Sequence, residues 1–165
     1  MSSGRRRASL GAWLRIGVAA ASLGVFTAGA AAPLLESAGR AGTASLCRRA
    51  LSGACHQKPE RAFTIAGAPM ALCTRCTAIY AAIPPALLAL AAAWRRPSTR
   101  RGMLAAAAAL APMAVDGFFQ TLDIYDAPAL RAVTGALGGA AIALVWHVLF
   151  TKPPGKDAVR ELSYA

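Results

Sequence analysis

The stretch AVTGALGGAAIALVWHVLF, residues 132–150, contains no Asp, Glu, Lys or Arg. A helix needs about 20 predominantly apolar residues to cross the hydrocarbon core of a bilayer. In lipid every backbone polar group has to be satisfied within the segment, which a helix achieves and an unpaired strand does not. The stretch therefore predicts a transmembrane helix.

Three further runs of the chain have a similar apolar character. Together the predicted spans cover residues 16–35, 77–94, 102–122 and 132–150. The chain is 56% hydrophobic and 15% charged, and its apolar residues are mostly alanine, which favours helix. We therefore expect an all-α integral membrane bundle of about four transmembrane helices.

The remaining residues divide the chain into three parts. We expect a basic N-terminal segment at 1–15, a four-span membrane domain at 16–150, and a polar C-terminal tail at 151–165. Within the membrane domain, a polar segment bearing Cys and His at 36–76 separates the first two spans. The first span also has the basic start and small residues of a signal peptide, but its apolar length favours a retained span.

The net charge of +11 results from 18 Lys and Arg against 7 Asp and Glu. The basic residues cluster beside the apolar runs, which is typical of membrane-flanking charge and argues against nucleic acid as a partner. Eleven of them lie before the first span, between spans two and three, or after span four. The positive-inside rule then predicts both termini cytoplasmic and the Cys/His segment extracytoplasmic.

Four cysteines lie in that polar segment. Cys73 and Cys76 form a C-x-x-C pair, which suits either a shared metal ion or a reactive disulfide at a helix start. Cys47 and Cys55 could supply a second pair, and His56 could complete a metal set with Cys55, Cys73 and Cys76. The third interpretation is structural disulfides in an oxidising compartment.

Polar residues from the spans should meet these cysteines at one end of the bundle. Asp116 lies inside an apolar span, where a carboxylate costs about 2.5–3.5 kcal/mol on insertion scales. Gln120 is four residues later on the same helix face, and Arg131 begins the fourth span at the same level. Asp116 is a candidate to take part in the chemistry, and Gln120 and Arg131 are candidates to bind a cofactor.

Gly135 and Gly139 form a G-x-x-x-G face on the fourth span. Such a face allows two helix backbones to approach closely. It predicts close packing, either within the chain or between two copies in a homo-oligomer.

The motifs CHQKPERAF, LCTRCTAIY, DGFFQ and LRAVTGALGG together resemble the prokaryotic membrane-protein family called domain of unknown function 2085. The resemblance implies a multi-span protein of the prokaryotic inner (plasma) membrane and no particular activity. Two positions depart from the pattern, Ala62 in place of serine and Ala78 in place of glycine. The positions that match the pattern are Cys55, His56, Gln57, Pro59, Arg61, Phe63, Cys73, Arg75, Cys76, Thr77, Ile79, Tyr80, Asp116, Gln120, Arg131, Thr134 and Gly135.

Three functions fit these residues. In a thiol–disulfide oxidoreductase, Cys73 and Cys76 would exchange with Cys47 and Cys55, Arg75 would favour a thiolate, and a quinone would be the cofactor. In a metal-binding protein, Cys55, His56, Cys73 and Cys76 would hold zinc, copper or iron. In a scaffold protein, the cysteines would only staple the polar segment. Hydrolytic motifs are absent from the sequence.

Overall fold

The computed structural model describes residues 3–93, 97–122 and 124–150, and for residues 3–10 it describes the backbone. Helices dominate these residues, and one short hairpin interrupts them. In chain order the elements are α1 (Ser3–Ser37), α2 (Ala41–Leu51), a 3-10 turn (Pro59–Arg61), β1 (Ala62–Ile65), β2 (Ala68–Cys73), α3 (Thr74–Ala92), α4 (Thr99–Thr121) and α5 (Pro128–Phe150).

The four predicted spans are confirmed as helices. The stretches long and apolar enough to cross a membrane are Gly11–Ser37, Thr74–Ala92, Thr99–Thr121 and Pro128–Phe150. The second, third and fourth begin three or four residues before the predicted spans. The end of the predicted second span at Trp94 and the predicted tail at 151–165 lie outside the described residues. The three-part division of the chain stays a prediction.

The outer surface of the bundle is apolar. Large hydrophobic side chains such as Ile16, Leu88, Leu104, Val133 and Leu149 are more than half exposed. A surface of this kind is unfavourable in water and is the one expected against lipid tails.

Two glycines bring α5 against α3 within the same chain. A Cβ at Gly135 would lie 2.5 Å from the Arg75 carbonyl oxygen, and one at Gly139 would clash with the Ile79 carbonyl oxygen. Only glycine permits this backbone approach. The predicted close packing is therefore found within the chain. The predicted homo-oligomer through this face is not supported, because α3 already covers the glycines.

The predicted polar segment folds into a small cap at one end of the bundle, made of α2 and the β1–β2 hairpin. The antiparallel strands pair Ala62 with Cys73 and Ile65 with Ala68. Arg48 of α2 pairs with Glu36 at the end of α1 (3.0 Å) and donates to the Pro69 carbonyl oxygen (2.9 Å). Apolar and polar residues do not alternate clearly along residues 62–73, so the hairpin was not predicted from the sequence.

The cap has an apolar interior that fixes it to the first span. Ala32 of α1 is fully buried with Ala71 and Leu72 of β2. Leu72 lies so close to Gly29 that a Cβ on that glycine would clash with it. The small residues Ala28, Gly29 and Ala32 of α1 thus allow the cap to pack closely against the first span.

Candidate thiol cluster and polar cavity

Three cysteine sulfur atoms meet under the cap. Cys55 follows the end of α2, Cys73 is the last residue of β2 and the N-cap of α3, and Cys76 lies in the first turn of α3. Their sulfur atoms lie within 4.8 Å of one another, a grouping that could hold a metal ion. We call Cys55, Cys73 and Cys76 the thiol cluster. The direct passage from strand to helix at Cys73 is what places two of the three sulfurs together.

The Cys55 sulfur is surrounded by hydrogen-bond donors. It accepts from the backbone N–H of Gln57 at 3.4 Å and from that of Cys73 at 3.2 Å. Hydrogen bonds from the Cys73 thiol and then the Cys76 thiol lower the pKa of Cys55 far below its ordinary value. Burial opposes this shift, and the two backbone donors add to it. The surroundings of Cys55 thus favour a thiolate, the form that binds metals and attacks disulfides.

The backbone at Gln57 is arranged for this contact. Its φ of +51° lies in the left-handed region, which costs a non-glycine residue about 1–2 kcal/mol. The side chain of Gln57 holds the turn by donating to the Arg48 carbonyl oxygen at 2.6 Å. Strain of this kind at a potential ligand is typical of functional sites.

The other predicted ligands lie outside the thiol cluster. Cys47 packs beside the apolar interior of the cap, and His56 is exposed. Neither belongs to the grouping of potential metal ligands found among the described residues. All four cysteines are free thiols in the structure.

Asp116 is the centre of a buried polar network at the same end of the bundle. It is 2% exposed, and it accepts hydrogen bonds from Arg75 (2.5 Å), Gln120 (2.5 Å), Tyr125 (2.9 Å) and Thr134 (3.0 Å). A buried carboxylate needs such partners to offset its desolvation. The network joins α3, α4 and α5. Asp116, Gln120 and Arg131 meet in it, as the sequence predicted.

Two arginines, Arg75 and Arg131, belong to this network. Arg75 lies between Cys73 and Cys76 in sequence, but its guanidinium bonds to Asp116 and Gln120. Arg131 is 3% exposed and donates through Nε to Gln120. Arg131 also forms an ion pair with Asp126, in which Nη1 lies 2.8 Å from a carboxylate oxygen. The angle of this contact is not that of a hydrogen bond.

A cavity of about 480 Å³ opens between the cap and the network. All three cysteines of the thiol cluster line it. Among the described residues, the rest of the wall is formed by Ala54, His56, Lys58, Arg61, Arg75, Gln120, Thr121 and Arg131. The volume is within the range of small-molecule sites in proteins.

The sequence analysis missed Tyr125 and Lys58. Tyr125 follows the end of α4, where no helical spacing relates it to Asp116. Burial and then its bond to Asp116 raise the pKa of Tyr125, so that it stays a donor. Lys58 sits in an irregular loop, and only the hairpin geometry brings it to the cavity.

Comparison with known proteins identifies relatives in archaea. A family model described as "Predicted membrane protein (DUF2085)" matches residues 55–145. An uncharacterised protein of Methanocaldococcus jannaschii is 32% identical over 112 residues, which is 64% of this chain and 68% of the relative. One from Methanothermobacter thermautotrophicus is 34% identical over 97 residues, 58% of this chain and 86% of the relative. No solved structure matches the chain.

Proposed function

We propose that this chain, which belongs to the DUF2085 family of predicted membrane proteins, binds one transition-metal ion through the thiol cluster. The observation that carries the proposal is the convergence of the Cys55, Cys73 and Cys76 sulfur atoms within 4.8 Å. Three thiolates around one ion match the ligand sets of zinc, copper(I) and iron sites.

The surroundings of the sulfur atoms support a metal more than a simple staple. Cys55 accepts two backbone N–H bonds, which stabilise a thiolate without using a neighbouring cation. Cys73 and Cys76 lie at the start of α3, and their thiols donate hydrogen bonds to the Cys55 sulfur. The protein therefore presents one thiolate, at Cys55, before any ion arrives, and metal binding displaces the remaining thiol protons.

The cluster leaves one side of the ion accessible. Because all three cysteines line the cavity, a water molecule or small ligand can reach a fourth position on the ion. A tetrahedral zinc ion with three protein ligands and one exchangeable position is the arrangement found in catalytic sites. His56 is exposed and stays a candidate for that position only after a change of side-chain conformation.

We further propose that the cap faces the outside of the cell and both termini face the cytoplasm. The basic residues at both ends of the chain and between spans two and three support this orientation. The cap also carries basic residues, but the rule depends mainly on charge close to the spans.

The test is metal content across the four cysteines. Protein purified under reducing conditions in non-ionic detergent would be loaded with zinc, desalted and analysed for bound ion. We expect about one ion per chain, lost in Cys55→Ser, Cys73→Ser and Cys76→Ser. Cys47→Ser is the matched control and should retain the ion. Equal retention by all four variants, or no binding by the parent protein, would refute the proposal.

A thiol–disulfide oxidoreductase is the second candidate function. The favoured Cys55 thiolate is close to two thiols, so Cys55 could form a disulfide with one of them; that disulfide would oxidise two thiols of a partner protein to a disulfide and would itself be reduced to the cysteine pair. A cycle with a quinone would remove two electrons and two protons from the cysteine pair. Cys47 lies outside the thiol cluster and would not take part in this exchange, although the sequence predicted that it would.

Trapping the thiols in intact cells distinguishes the two functions. Acid quenching followed by alkylation would show a Cys55 disulfide to either partner if the redox function operates. A metal site predicts reduced thiols that are protected from alkylation until a chelator is added.

A further inference from the structure

The first turn of α3 carries two of the three cysteines of the thiol cluster, Cys73 as its N-cap and Cys76 within the turn. The Cys73 side chain makes no capping hydrogen bond at this end of the helix. Side-chain caps usually help to fix the start of a helix, so this turn depends on other contacts for its position. The placement of the two sulfur atoms therefore depends on the residues between and beside these cysteines.

Three neighbouring residues tie this turn to its surroundings. The buried Thr74 hydroxyl donates to the Arg61 carbonyl oxygen at 3.0 Å, and the Thr77 hydroxyl donates to the Leu72 carbonyl oxygen at 3.5 Å. Both contacts join α3 to the hairpin or to the 3-10 turn before it. Arg75 differs from the two threonines, because its side chain reaches α4 of the bundle.

Arg75 is fixed through its side chain and through its backbone. Its Nη2 donates to an Asp116 carboxylate oxygen at 2.5 Å and to the Gln120 side-chain oxygen at 3.1 Å, both on α4. Gly117 leaves room for the guanidinium, since a Cβ there would lie 3.4 Å from Nη1. The Arg75 carbonyl oxygen packs against Gly135 of α5, where a Cβ would lie 2.5 Å from it. Contacts with α4 and α5 thus set the position of the turn.

The positive charge of Arg75 is offset by this contact. Asp116 is 2% exposed, and it forms an ion pair with Arg75 at 2.5 Å. Such a pair is nearly neutral at a distance, whereas its charge-assisted hydrogen bond holds the two partners in one geometry. The contact therefore suits a residue that places its neighbours better than one that acts on the sulfur atoms through its charge.

We propose that Arg75 is a positioning residue of the thiol cluster and that Asp116 acts on the cluster through it. The inference rests on the proposed metal site, for which it names the support on the bundle side. Replacing a residue that orients metal ligands typically costs about 10–100-fold in metal affinity. The buried network of the spans thus has a direct consequence for metal binding under the cap.

Cobalt(II) binding by the full-length protein, in non-ionic detergent and under reducing conditions, provides the test. Cobalt is the probe because its tetrahedral thiolate complexes absorb visible light. Arg75→Gln and Asp116→Asn should each raise the dissociation constant about tenfold or more. The double variant should lose no more affinity than the weaker of the two single variants, because the two residues act as one unit.

The two single variants change the charge near the sulfur atoms in opposite directions. Arg75→Gln removes a cation, and Asp116→Asn removes an anion. An effect of charge alone would therefore raise the cobalt affinity in one variant and lower it in the other. A positioning role predicts a loss in both.

Gly102→Ala is the control for a general loss of stability. Gly102 lies near the start of α4, roughly 20 Å along the helix from Asp116. A Cβ there would lie 2.5 Å from the Val148 side chain, so this variant should unfold at a lower temperature. It should keep the cobalt affinity and the visible spectrum of the parent, whereas Arg75→Gln and Asp116→Asn should alter the visible bands of the bound ion.

A single variant that folds poorly does not prevent the comparison. The double variant removes both buried charges, which avoids leaving one of them without its partner. Its cobalt affinity and spectrum can then be compared directly with those of the parent and of Gly102→Ala.

Unchanged affinity in the Arg75 and Asp116 variants, or opposite shifts in the two single variants, would overturn the proposal. A double variant whose loss is the product of the two single losses would overturn it as well, because the residues would then act separately. An equal loss in Gly102→Ala would show that stability alone explains the effect. A parent protein that binds no cobalt refutes the metal site itself, and the positioning role falls with it.

Discussion

Cys55 illustrates how a single side chain acquires its chemistry from the backbone around it. Its sulfur accepts from two N–H groups, and one of them is presented by the left-handed turn at Gln57. The sequence identifies Cys55 as a candidate through its proximity to His56 and the C-x-x-C pair. It does not reveal the turn, because glutamine carries no preference for that conformation.

The lowered pKa of Cys55 predicts a thiolate in reduced, metal-free protein at pH values where an ordinary thiol is protonated. A depressed pKa stabilises the fold above the unfolded-state pKa, and this contribution disappears as the pH falls through the lowered value. Thiolate absorbance in the ultraviolet, followed during acid titration, should persist well below the ordinary thiol range. Cys55→Ser should abolish that low-pH signal, whereas Cys47→Ser should leave it. An unchanged titration in Cys55→Ser would contradict the assignment.

Asp116 is expected to be essential for stability because it has four hydrogen-bonded partners. Asp116→Asn removes a buried charge that pairs with Arg75, and breaking a buried ion pair costs about 3–5 kcal/mol of unfolding free energy. Unfolding in detergent with increasing dodecyl sulfate would measure the loss. Glu60→Gln is the control, since Glu60 is exposed and exposed charges contribute at most about 1 kcal/mol. Similar losses for both variants would show that the network does not depend on burial.

Among the secondary-structure elements, the pairing of α3 with α5 depends on the absence of side chains. Gly139→Ala would push a methyl group into the Ile79 carbonyl oxygen, and overpacking of this kind costs about 1–3 kcal/mol. Gly24→Ala in α1 is a matched control, because nothing lies within 4 Å of its Cβ position. Gly24→Ala should leave the stability of α1 unchanged or raise it slightly, because alanine favours a helix more than glycine does. The comparison uses the same unfolding assay, and equal stability of the two variants would contradict the packing.

The turn of the cap hairpin holds a non-glycine residue, Ala66, in the left-handed backbone conformation. Ala66 has φ +50° and Gly67 has φ +79° in the turn between β1 and β2. Glycine adopts the first conformation without a Cβ penalty, so Ala66→Gly should stabilise the cap by up to about 1 kcal/mol. Ala68→Gly, on the adjoining strand, should instead destabilise it. Amide exchange of the hairpin would measure both effects, and a destabilising Ala66→Gly would show that the turn has another conformation.

The elements were predictable to very different degrees. The four spans could be predicted from long apolar runs. In lipid such a segment has to satisfy its own backbone hydrogen bonds, which it does as a helix. The hairpin and α2 could not be anticipated in the same way, since the cap has short segments whose structure depends on contacts with α1. The meeting of Asp116, Gln120 and Arg131 followed from the order and direction of the spans. Tyr125 and Lys58 joined the site from loops, where no periodic signal exists.

At the scale of the whole molecule, the account predicts a cap outside the cell above a bundle with inward-facing termini. A green fluorescent protein fused after residue 165 should fluoresce in a bacterial host, because this reporter matures in the cytoplasm. The same fusion to alkaline phosphatase should be inactive, since that enzyme needs the oxidising exterior. An active phosphatase fusion would invert the orientation and place the thiol cluster on the reducing side.

The molecule as a whole combines an apolar exterior with one polar end, where the thiol cluster and residues of the Asp116 network line the same cavity. A carboxylate inside a span, such as Asp116, is costly in a membrane and is by default a functional hypothesis. We infer that the bundle serves mainly to hold three helix ends and the cap in register around the cavity.

X-ray absorption at the metal edge of zinc-loaded protein tests the central claim most directly. The account predicts a first shell of three sulfur atoms at about 2.3 Å and one lighter atom, which is the distance range of zinc–thiolate bonds. Replacing Cys76 by serine should remove one sulfur or abolish binding, and replacing Cys47 should leave the spectrum unchanged. A first shell of nitrogen and oxygen atoms, or a sulfur count that depends on Cys47, would contradict it.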